Sequence, residues 1–250
     1  RYWRMLRWRL PTARERQPRL VDPPRDGGFD RKPSPGEVAV TFIGHDTFLL
    51  RFAQADGQTM TVLTDPIFSE RCSPLSFLGP RRFRAAAHAF ADLRPIDLVL
   101  VSHCHYDHLD LPSLRMIARR DNPVVATPLG NGSLLRRACL SRIIELDWWD
   151  EAVMGKMRLT CTPARHFAQR TLWDRGRRLW GGFFLRPAHD APWVFFAGDT
   201  AHGGHWADTR TRAGAPVVAL LTLMLLPPVL YTYLPAPGAG KELACRPSTR

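Results

Sequence analysis

Apolar and polar positions alternate with a period of two between residues 37 and 63, and this alternation predicts β-strands. The strands are expected at Glu37 to Ile43, Phe48 to Phe52 and Thr59 to Leu63. An Ala-Asp-Gly turn at 55–57 would join the second and third of them as a hairpin. The ordered part of the chain therefore begins with a run of paired strands.

Further along, short apolar runs alternate with longer amphipathic stretches. The short runs predict strands at 98–101, 124–127, 143–146, 157–162, 179–186 and 193–197. A helix is predicted to start at Asp110 as its N-cap, with Pro112 in the first turn, and to end near Arg120. A second helix is predicted from Ser133 to Leu140. Strands before and after helices in this order predict an α+β fold with two mixed sheets between helices.

Composition narrows the class of protein. The chain has 250 residues, of which 45% are hydrophobic and 23% charged, as in a single globular domain. Its net charge of +12 either attracts anions, such as phospholipid headgroups or phosphorylated small molecules, or is a solvated basic face. No nucleic-acid-binding motif accompanies the charge, so no nucleic-acid partner is predicted. The five cysteines, without a Cys-x-x-Cys pair, favour a reducing compartment and a cytoplasmic location.

Two segments have little periodicity. Residues 1–36 form a basic N-terminal extension rich in Arg, Pro and Trp. It is interpreted as an extension packed across the fold, and the alternative is a basic arm that makes a peripheral contact with an anionic membrane. Residues 68–96 form a long irregular segment with a basic run at 81–84, which is typical of a binding loop.

Four side chains that commonly bind metals follow the predicted strand at 98–101 within six residues, namely His103, His105, Asp107 and His108. In an extended chain the first two histidines project to the same face. A turn after them brings the other two side chains into the same space from another direction. Three imidazoles and a carboxylate are too many for one metal site that stays open to substrate. The loop therefore predicts a centre for two metal ions.

Other candidates lie at the ends of other predicted strands. His166 and Asp199 each follow a strand end, where the loops of a sandwich gather at one edge. Asp65, in a Thr-Asp-Pro sequence after the third strand, is interpreted either as a carboxylate that orients a histidine or as a turn-capping residue. His202 and His205 are interpreted as solvent or cleft histidines.

The spacing His-x-His-x-Asp-His is typical of the metallo-β-lactamase superfamily, which this chain resembles. Within that superfamily it is most similar to the enzymes like N-acyl-phosphatidylethanolamine-hydrolysing phospholipase D and their bacterial relatives. The resemblance covers about residues 37 to 212 and is carried by motifs at 44–48, 64–66, 77–83, 102–110, 128–130, 145–149, 163–166, 179–181 and 198–200. It implies a metallo-β-lactamase fold, a four-layer αββα sandwich, for the hydrolase domain at 37–214.

The resemblance also implies roles for the candidate residues. It implies that His103, His105 and His166 bind one zinc ion. Asp107 and His108 would bind a second zinc ion, and Asp199 would bridge the two. Asp65 and His45 would orient these ligands from behind. A hydroxide between the metals would attack a phosphodiester or an activated carbonyl, because zinc lowers the pKa of bound water to about 7. Asp107 would be the catalytic residue that orients it.

The sequence departs from the family in two places. Cys104 stands between the first two histidines, where its side chain is expected to point away from the metals. Beyond Gly214 the family pattern is not recognised, and no histidine follows His205 in the 250 residues. The final histidine of the second site is thus missing from the pattern. A single zinc ion and an impaired or inactive protein are therefore open alternatives.

The segment 215–250 is interpreted as divergent, and the fold as incomplete or altered there. It contains an apolar run from Val217 to Leu234, interrupted by Pro227-Pro228, and then a Pro/Gly/Ala tail. An altered reading frame or truncation is the first explanation, and a strand over Val217 to Leu226 is the second. A transmembrane helix is the third, because two consecutive prolines interrupt it.

Together these patterns predict a zinc-dependent hydrolase that is phosphodiesterase-like or phospholipase D-like. Its substrate would be a small molecule or a phospholipid. The alternatives are a lactonase of the same fold and a non-catalytic protein that keeps a metal.

Overall fold

A computed structural model describes residues 29–54, 56–82, 84–188, 192–223 and 243–245. The predicted strands at the start are present as β1 (Val38–Gly44), β2 (Thr47–Ala53) and β3 (Thr59–Thr64), which pair antiparallel in chain order. Alternate side chains of β2 enter two different cores, since Leu50 lies on one side of the sheet and Leu49 on the other. The sheet is therefore covered on both faces.

Among the described residues, the larger sheet has seven strands, in the order β12 (Leu243–Cys245), β1, β2, β3, β4 (Leu98–Leu100), β5 (Val124–Pro128) and β6 (Ile143–Leu146). Beyond β3 it is parallel and contains β4, β5 and β6. Two helices, α1 (Leu111–Arg120) and α2 (Gly132–Arg136), connect these parallel strands. Because parallel strands end at the same edge, the segments that follow β3 and β4 open side by side.

The smaller sheet has five strands in the described part of the chain, in the order β11 (Val218–Leu223), β10 (Val194–Thr200), β9 (Gly182–Pro187), β8 (Met157–Thr162) and β7 (Glu151–Met154). Four of them pair antiparallel, namely β7, β8, β9 and β10. Helix α3 (His205–Ala213) then leads to β11, which is parallel to β10. The last described strand, β12, pairs with β1 in the other sheet.

Three apolar clusters show that the sheets and helices stack in four layers. The central cluster joins the inner faces of the two sheets and includes Leu50, Phe52, Leu98, Leu100, Leu159, Phe183, Phe196 and Leu220. A second cluster lies between the larger sheet and its helices and includes Leu49, Val99, Leu114, Ile117 and Leu135. A third lies between the smaller sheet and α3 and includes Phe195, Ala197, Trp206 and Ala213. The predicted αββα sandwich is confirmed.

Helix α1 begins as predicted and fixes the end of the histidine loop. Asp110 is its N-cap, and the carboxylate accepts the backbone N–H of Ser113 and the hydroxyl of Ser69. Arg119 and Arg120 lie in the last turn, where positive charge favours the helix dipole. The cap therefore fixes the end of the loop that leads from β4 into α1.

Several boundaries differ from the sequence-based expectations. Helix α2 ends at Arg136 and not at Leu140, because Cys139 adopts a left-handed conformation with φ of 64°. Strand β7 and helix α3 were not predicted, since neither has a strong apolar period. Strand β10 runs through Thr200, so that Asp199 belongs to the strand and not to the loop after it.

The chain ends are described in part. Residues 1–28 of the predicted N-terminal extension lie outside the described residues, whereas Phe29 stacks on His88 at 3.9 Å between ring centroids. The described part of the C-terminal segment forms a strand, β11, in agreement with the second of the three explanations. Within the described ranges, no helix is long and apolar enough to cross a membrane. The rest of the predicted tail lies outside them, apart from β12, and the altered reading frame stays a prediction.

Candidate metal centre

The loop after β4 places the first two predicted ligands side by side. Nε2 of His103, a buried side chain, lies 2.8 Å from Nδ1 of His105. The two rings stand nearly perpendicular, with an interplanar angle of 76°. Between them, Cys104 is buried in the apolar cluster under α1 and so points away from the two rings, as expected. The two histidines thus face one space, as the period of two predicts.

His166, in the segment after β8, completes a group of three histidines. Its Nε2 lies 3.2 Å from Nε2 of His103 and 3.1 Å from Nδ1 of His105. Oδ2 of Asp199 lies 3.7 Å from the same nitrogen of His166. Ligands on bonds of 2.0–2.1 Å around a tetrahedral zinc ion are about 3.3 Å apart. The spacing of these side chains therefore suits one metal ion.

A second group of side chains lies around His108. Nε2 of His108 is 3.3 Å from Oδ2 of Asp199 and 3.9 Å from Oδ2 of Asp107. Asp199 therefore lies between the two groups, where a carboxylate could contact an ion in each. The structure brings all six predicted ligands together, and the binding of metal by them stays a prediction.

Asp65 connects the two groups from behind and sets the orientation of their rings. Its Oδ1 accepts the backbone N–H of Ser102 at 2.7 Å, and its Oδ2 accepts the Ser102 hydroxyl at 2.5 Å. Nδ1 of His108 lies 2.7 Å from the same Oδ2 and therefore donates to it. Asp65 thus contacts one predicted ligand directly and lies behind Ser102, as the interpretation of an orienting carboxylate requires.

The hydrogen bonds of Ser102 decide which nitrogen of His103 faces the centre. The hydroxyl donates its only hydrogen to Asp65, so it must accept a hydrogen from Nδ1 of His103, at 2.9 Å. The lone pair of His103 then lies on Nε2, the nitrogen that faces His105 and His166. By the same reasoning, neutral His108 has its lone pair on Nε2. Both histidines are oriented for metal binding.

Sequence reasoning missed two residues of this network, Ser102 and Asp46. Oδ2 of Asp46, a buried side chain, lies 3.3 Å from Nδ1 of His108. Burial raises the pKa of Asp46 to about 6. The signal for Asp46 was its position directly after the Gly-His pair at the end of β1, at the edge where the ligand loops meet. Ser102 is the residue that immediately precedes the histidine motif.

Burial and charge separate the histidines into two kinds. Burial lowers the pKa of His103 well below its usual range, and that of His166 to about 4. Burial alone would also lower the pKa of His108, but the negative charges of Asp199 and Asp107 outweigh it and raise that pKa well above its usual range. The first group is therefore neutral imidazole, the form that binds metals, and the second group concentrates carboxylates.

Asp107 is a predicted ligand that is partly open to solvent, with 30% of its side chain exposed. Burial would raise its pKa, but the charge of His108 and the hydrogen bond from His45 hold the pKa well below its usual range. Nε2 of His45 lies 3.4 Å from Oδ2 of Asp107. Asp107 is therefore an ionised carboxylate that is reachable from outside.

The donor set fits divalent metal ions. Nε2 of His103 presents its lone pair to Nδ1 of His105 and Nε2 of His166, and three imidazole nitrogens at these separations can share one cation. Nε2 of His108 is buried 3.3 Å from Oδ2 of Asp199, in a contact that lacks the geometry of a full hydrogen bond and leaves this nitrogen suited to a cation. Imidazole nitrogens with carboxylate oxygens are the ligands that zinc and other transition metals use in proteins.

Side chains from the surrounding loops hold the ligand segments in place. Arg170 donates to the backbone oxygens of Cys104 and Leu109, at 2.8 and 2.9 Å, and its guanidinium lies 4.0 Å from the ring centroid of Tyr106. Nε1 of Trp180 donates to the backbone oxygen of Ala164 at 2.8 Å, close to the segment of His166. The centre is thus built on restrained segments, although five of its six predicted ligands lie outside regular strands or helices.

Comparison with known families gives a match over most of the chain. The model of the beta-lactamase superfamily domain matches residues 60–232. The match continues past Gly214, beyond which the motifs of the family are not recognised in the sequence.

Curated proteins are similar over the same part of the chain. An uncharacterised protein of Mycobacterium tuberculosis is 39% identical over 168 residues, which are 66% of this chain and 43% of that protein. The mitochondrial N-acyl-phosphatidylethanolamine-hydrolysing phospholipase D of Saccharomyces cerevisiae is 35% identical over 147 residues, 57% of this chain and 31% of the yeast protein. The N-acyl-phosphatidylethanolamine-hydrolysing phospholipase D 1 of Caenorhabditis elegans is 32% identical over 171 residues, which are 64% of this chain and 46% of the nematode protein. The chain spans less than half the length of these relatives.

Solved structures share the fold. An isothiocyanate hydrolase from Delia radicum gut bacteria aligns with a TM-score of 0.55 at 21% identity, over 72% of this chain and 69% of its own. The diiron β-hydroxylase CmlA from Streptomyces venezuelae aligns with a TM-score of 0.53 at 24% identity, over 75% of this chain and 34% of its own. With its sandwich fold, its motifs and these relatives, the chain belongs to the metallo-β-lactamase superfamily, in the branch that resembles the N-acyl-phosphatidylethanolamine-hydrolysing phospholipases D.

Proposed function

We propose that this protein is a zinc-dependent hydrolase that cleaves a phosphodiester bond of a phospholipid. The observation that carries the proposal is the position of Asp199, which lies 3.7 Å from His166 of one group and 3.3 Å from His108 of the other. A carboxylate shared between two groups of predicted ligands suits two-metal hydrolysis. The names of the yeast and nematode relatives support a phosphodiester of a phospholipid as substrate.

The residues divide the chemistry between them. His103, His105 and His166 would hold one ion, and Asp107 and His108 the other, with Asp199 shared. Bound zinc would supply Lewis acidity toward the phosphoryl oxygens and would lower the pKa of a coordinated water toward neutral. Asp107, ionised and reachable from outside, would orient the attacking water by accepting one of its hydrogens at Oδ2. Asp65 holds His108 directly and His103 through Ser102, so that these rings keep their lone pairs toward the centre.

The surface beside the centre supports a lipid substrate. Two loops carry strongly exposed apolar side chains: Phe77 and Leu78, exposed by 76% and 60%, and Leu172 and Trp173, exposed by 75% and 83%. We call these four side chains the apolar rim. The second loop reaches the centre through Phe167, whose ring centroid is 4.9 Å from that of His105.

The first loop of the rim is followed by Arg82, which anchors it near His45. Arg82 donates to the backbone oxygen of Ile67 at 3.3 Å and lies against Gly44, next to His45. Exposed arginines accompany both loops, namely Arg81, Arg175 and Arg177. Apolar side chains among arginines suit the boundary between the acyl chains and the phosphate groups of a membrane.

Hydrolysis assays test the proposal directly. The zinc-loaded protein is expected to hydrolyse bis-p-nitrophenyl phosphate and N-acyl-phosphatidylethanolamine in vesicles, and His105→Ala is expected to lose both rates by at least about 100-fold. His202→Ala is the matched control, because His202 is an exposed histidine that was not predicted to bind metal. Turnover of lactones but not of phosphodiesters would favour the lactonase alternative. Zinc binding without any turnover would favour the non-catalytic one.

The rim gives a second and independent test of the substrate class. Leu172→Ser with Trp173→Ser is expected to reduce turnover of vesicle-bound phospholipid strongly and to leave bis-p-nitrophenyl phosphate unaffected. Val153→Ser is the control, since Val153 lies in β7, in the hairpin that β7 forms with β8, and is 65% exposed. Equal losses on both substrates would contradict a role in lipid binding. The predicted membrane contact of the N-terminal arm stays a prediction, since residues 1–28 lie outside the described ranges.

A further inference from the structure

A histidine that is not part of the His-x-His-x-Asp-His motif, His45, also lies beside the second group of predicted ligands. His45 follows β1 and lies at the same sheet edge as the ligand loops. Its Nε2 is 3.4 Å from Oδ2 of Asp107, and its ring centroid is 5.1 Å from that of His108. Histidines outside the centre have other neighbours: His88 stacks on Phe29, and Nε2 of His205 bonds to Oγ1 of Thr200 at 2.9 Å.

The backbone of His45 is held in an unusual conformation. His45 has φ of 52°, and the register between β1 and β2 shifts just before it, between Phe42 and Gly44. A left-handed conformation is unfavourable for a residue other than glycine. The conformation is kept because this part of the turn is fixed: the Thr47 hydroxyl donates to the Asp65 backbone oxygen at 2.7 Å. Strain of this kind at a residue beside a reactive centre points to a role there.

The distances around Asp107 are those of ligands that surround an ion. Oδ2 of Asp107 is 3.4 Å from Nε2 of His45 and 3.9 Å from Nε2 of His108. Nε2 of His108 is in turn 3.3 Å from Oδ2 of Asp199. Ligand atoms of a four-coordinate zinc ion are about 3.3 Å apart. His45 therefore lies beside one predicted ligand of the second ion, and it also belongs, with Asp46 and His108, to a group whose ligand atoms lie within 4.8 Å of one another.

We infer that His45 is a ligand of the second metal ion, together with Asp107, His108 and the shared Asp199. This inference rests on the metal centre of the proposed function. It gives the second group an imidazole from β1, in the part of the chain that precedes the histidine motif. A centre completed in this way would not need a histidine from the segment after Gly214.

Zinc stoichiometry tests the inference without an activity measurement. The full chain is stripped with a chelator, loaded with Zn²⁺ and dialysed, and the bound zinc is measured by elemental analysis. Wild-type protein is expected to hold two equivalents, and His45→Asn one. Asparagine adopts the left-handed conformation readily, so that the turn is kept while the imidazole is lost. His45→Gly, which also fits a φ of 52°, is a second variant should the first unfold.

Affinity gives the second readout. In competition with a chromophoric chelator, the second zinc equivalent of His45→Asn is expected to bind at least 100-fold more weakly than in wild type, whereas His202→Asn keeps both affinities. A second equivalent within threefold of wild type in folded His45→Asn would overturn the inference and make His45 a hydrogen-bond partner of Asp107 alone. One equivalent in wild type would overturn it while leaving a one-zinc hydrolase. No zinc at all would overturn the proposed function as well.

Discussion

The substitution Asp65→Asn tests how the metal centre is oriented, because it reverses hydrogen-bond polarity with almost no change of shape. Asp65 is fully buried, and its Oδ1 accepts the backbone N–H of Ser102 at 2.7 Å. In asparagine the amide oxygen has to face that N–H, since the NH₂ group there would bring two donors together. The NH₂ group then replaces Oδ2, which faces the Ser102 hydroxyl at 2.5 Å and Nδ1 of His108 at 2.7 Å.

The reversed polarity reaches the ring nitrogens of two predicted ligands. Ser102 would accept a hydrogen from the amide and donate its own to Nδ1 of His103, 2.9 Å away. Nδ1 of His108 would likewise accept from the amide. Both neutral histidines would then carry their hydrogen on Nε2, the nitrogen that faces the centre. A nitrogen that bears a hydrogen cannot bind a metal, so metal binding would work against the network.

The expected loss can be estimated from this geometry. Partners behind a metal ligand are worth 10–100-fold in metal affinity, about 1.4–2.7 kcal/mol. Since one substitution affects two histidines, zinc affinity is expected to fall by at least about 100-fold. Three charge-assisted hydrogen bonds also become neutral ones, which costs the metal-free fold about 3 kcal/mol in total.

Chelator competition measures the zinc affinity, and urea unfolding of the metal-free protein measures the stability. Asp97→Asn is the matched control, because Oδ2 of Asp97 accepts the backbone N–H of Thr61 at 2.7 Å at the start of β4. Its zinc affinity is expected to equal that of wild type. A folded Asp65→Asn protein with zinc affinity within threefold of wild type would refute the orientation argument.

Three further predictions concern the fold around the centre. Asp110→Ala removes the acceptor of the Ser113 N–H at the start of α1 and is expected to cost about 1–2 kcal/mol in urea unfolding; no loss would contradict the cap. Burial would raise the pKa of Asp174, but two backbone N–H groups and Arg178 lower it to about 2. The stabilisation of the fold by ionised Asp174 is therefore present above the unfolded pKa of about 3.9 and is lost as the pH falls through about 2. Asp174→Asn is expected to make the free energy of unfolding less dependent on pH in that window. An unchanged pH dependence would contradict this. Burial raises the pKa of the Cys161 thiol to about 12. A thiol reagent is therefore expected to modify exposed Cys139 first and Cys161 only on unfolding. Equal rates of modification would contradict the packing of Cys161 between the sheets.

The strands and the first histidine loop were predictable because their signals are local. Alternation over β1 to β3 and the apolar run of β4 each lie within a few residues. The spacing of His103 and His105 is likewise local, and the period of two was enough to place both rings in one space. The N-cap at Asp110 needed only the polar residue before Pro112.

Other features were not predictable because they depend on distant parts of the chain. Ser102 became part of the centre through Asp65, 37 residues away, and Asp46 through its contact with His108. No local period marks such pairs. Strand β7 has two exposed positions out of four, and it is a strand because β8 pairs with it. The sheet edge, which no short window of sequence contains, decides which side chains meet.

The same dependence on distant segments links the metal to the stability of the whole fold. The predicted ligands come from the loop after β4, the segment after β8 and the end of β10, so the unfolded chain cannot present them together. Metal that binds only the folded protein adds about 2.7 kcal/mol per site at a free concentration 100-fold above its Kd. Chelation is therefore expected to lower the melting temperature by several degrees, and His166→Ala is expected to remove most of that shift. An unchanged melting temperature on chelation of a zinc-loaded protein would mean that these side chains do not hold the metal in the folded state.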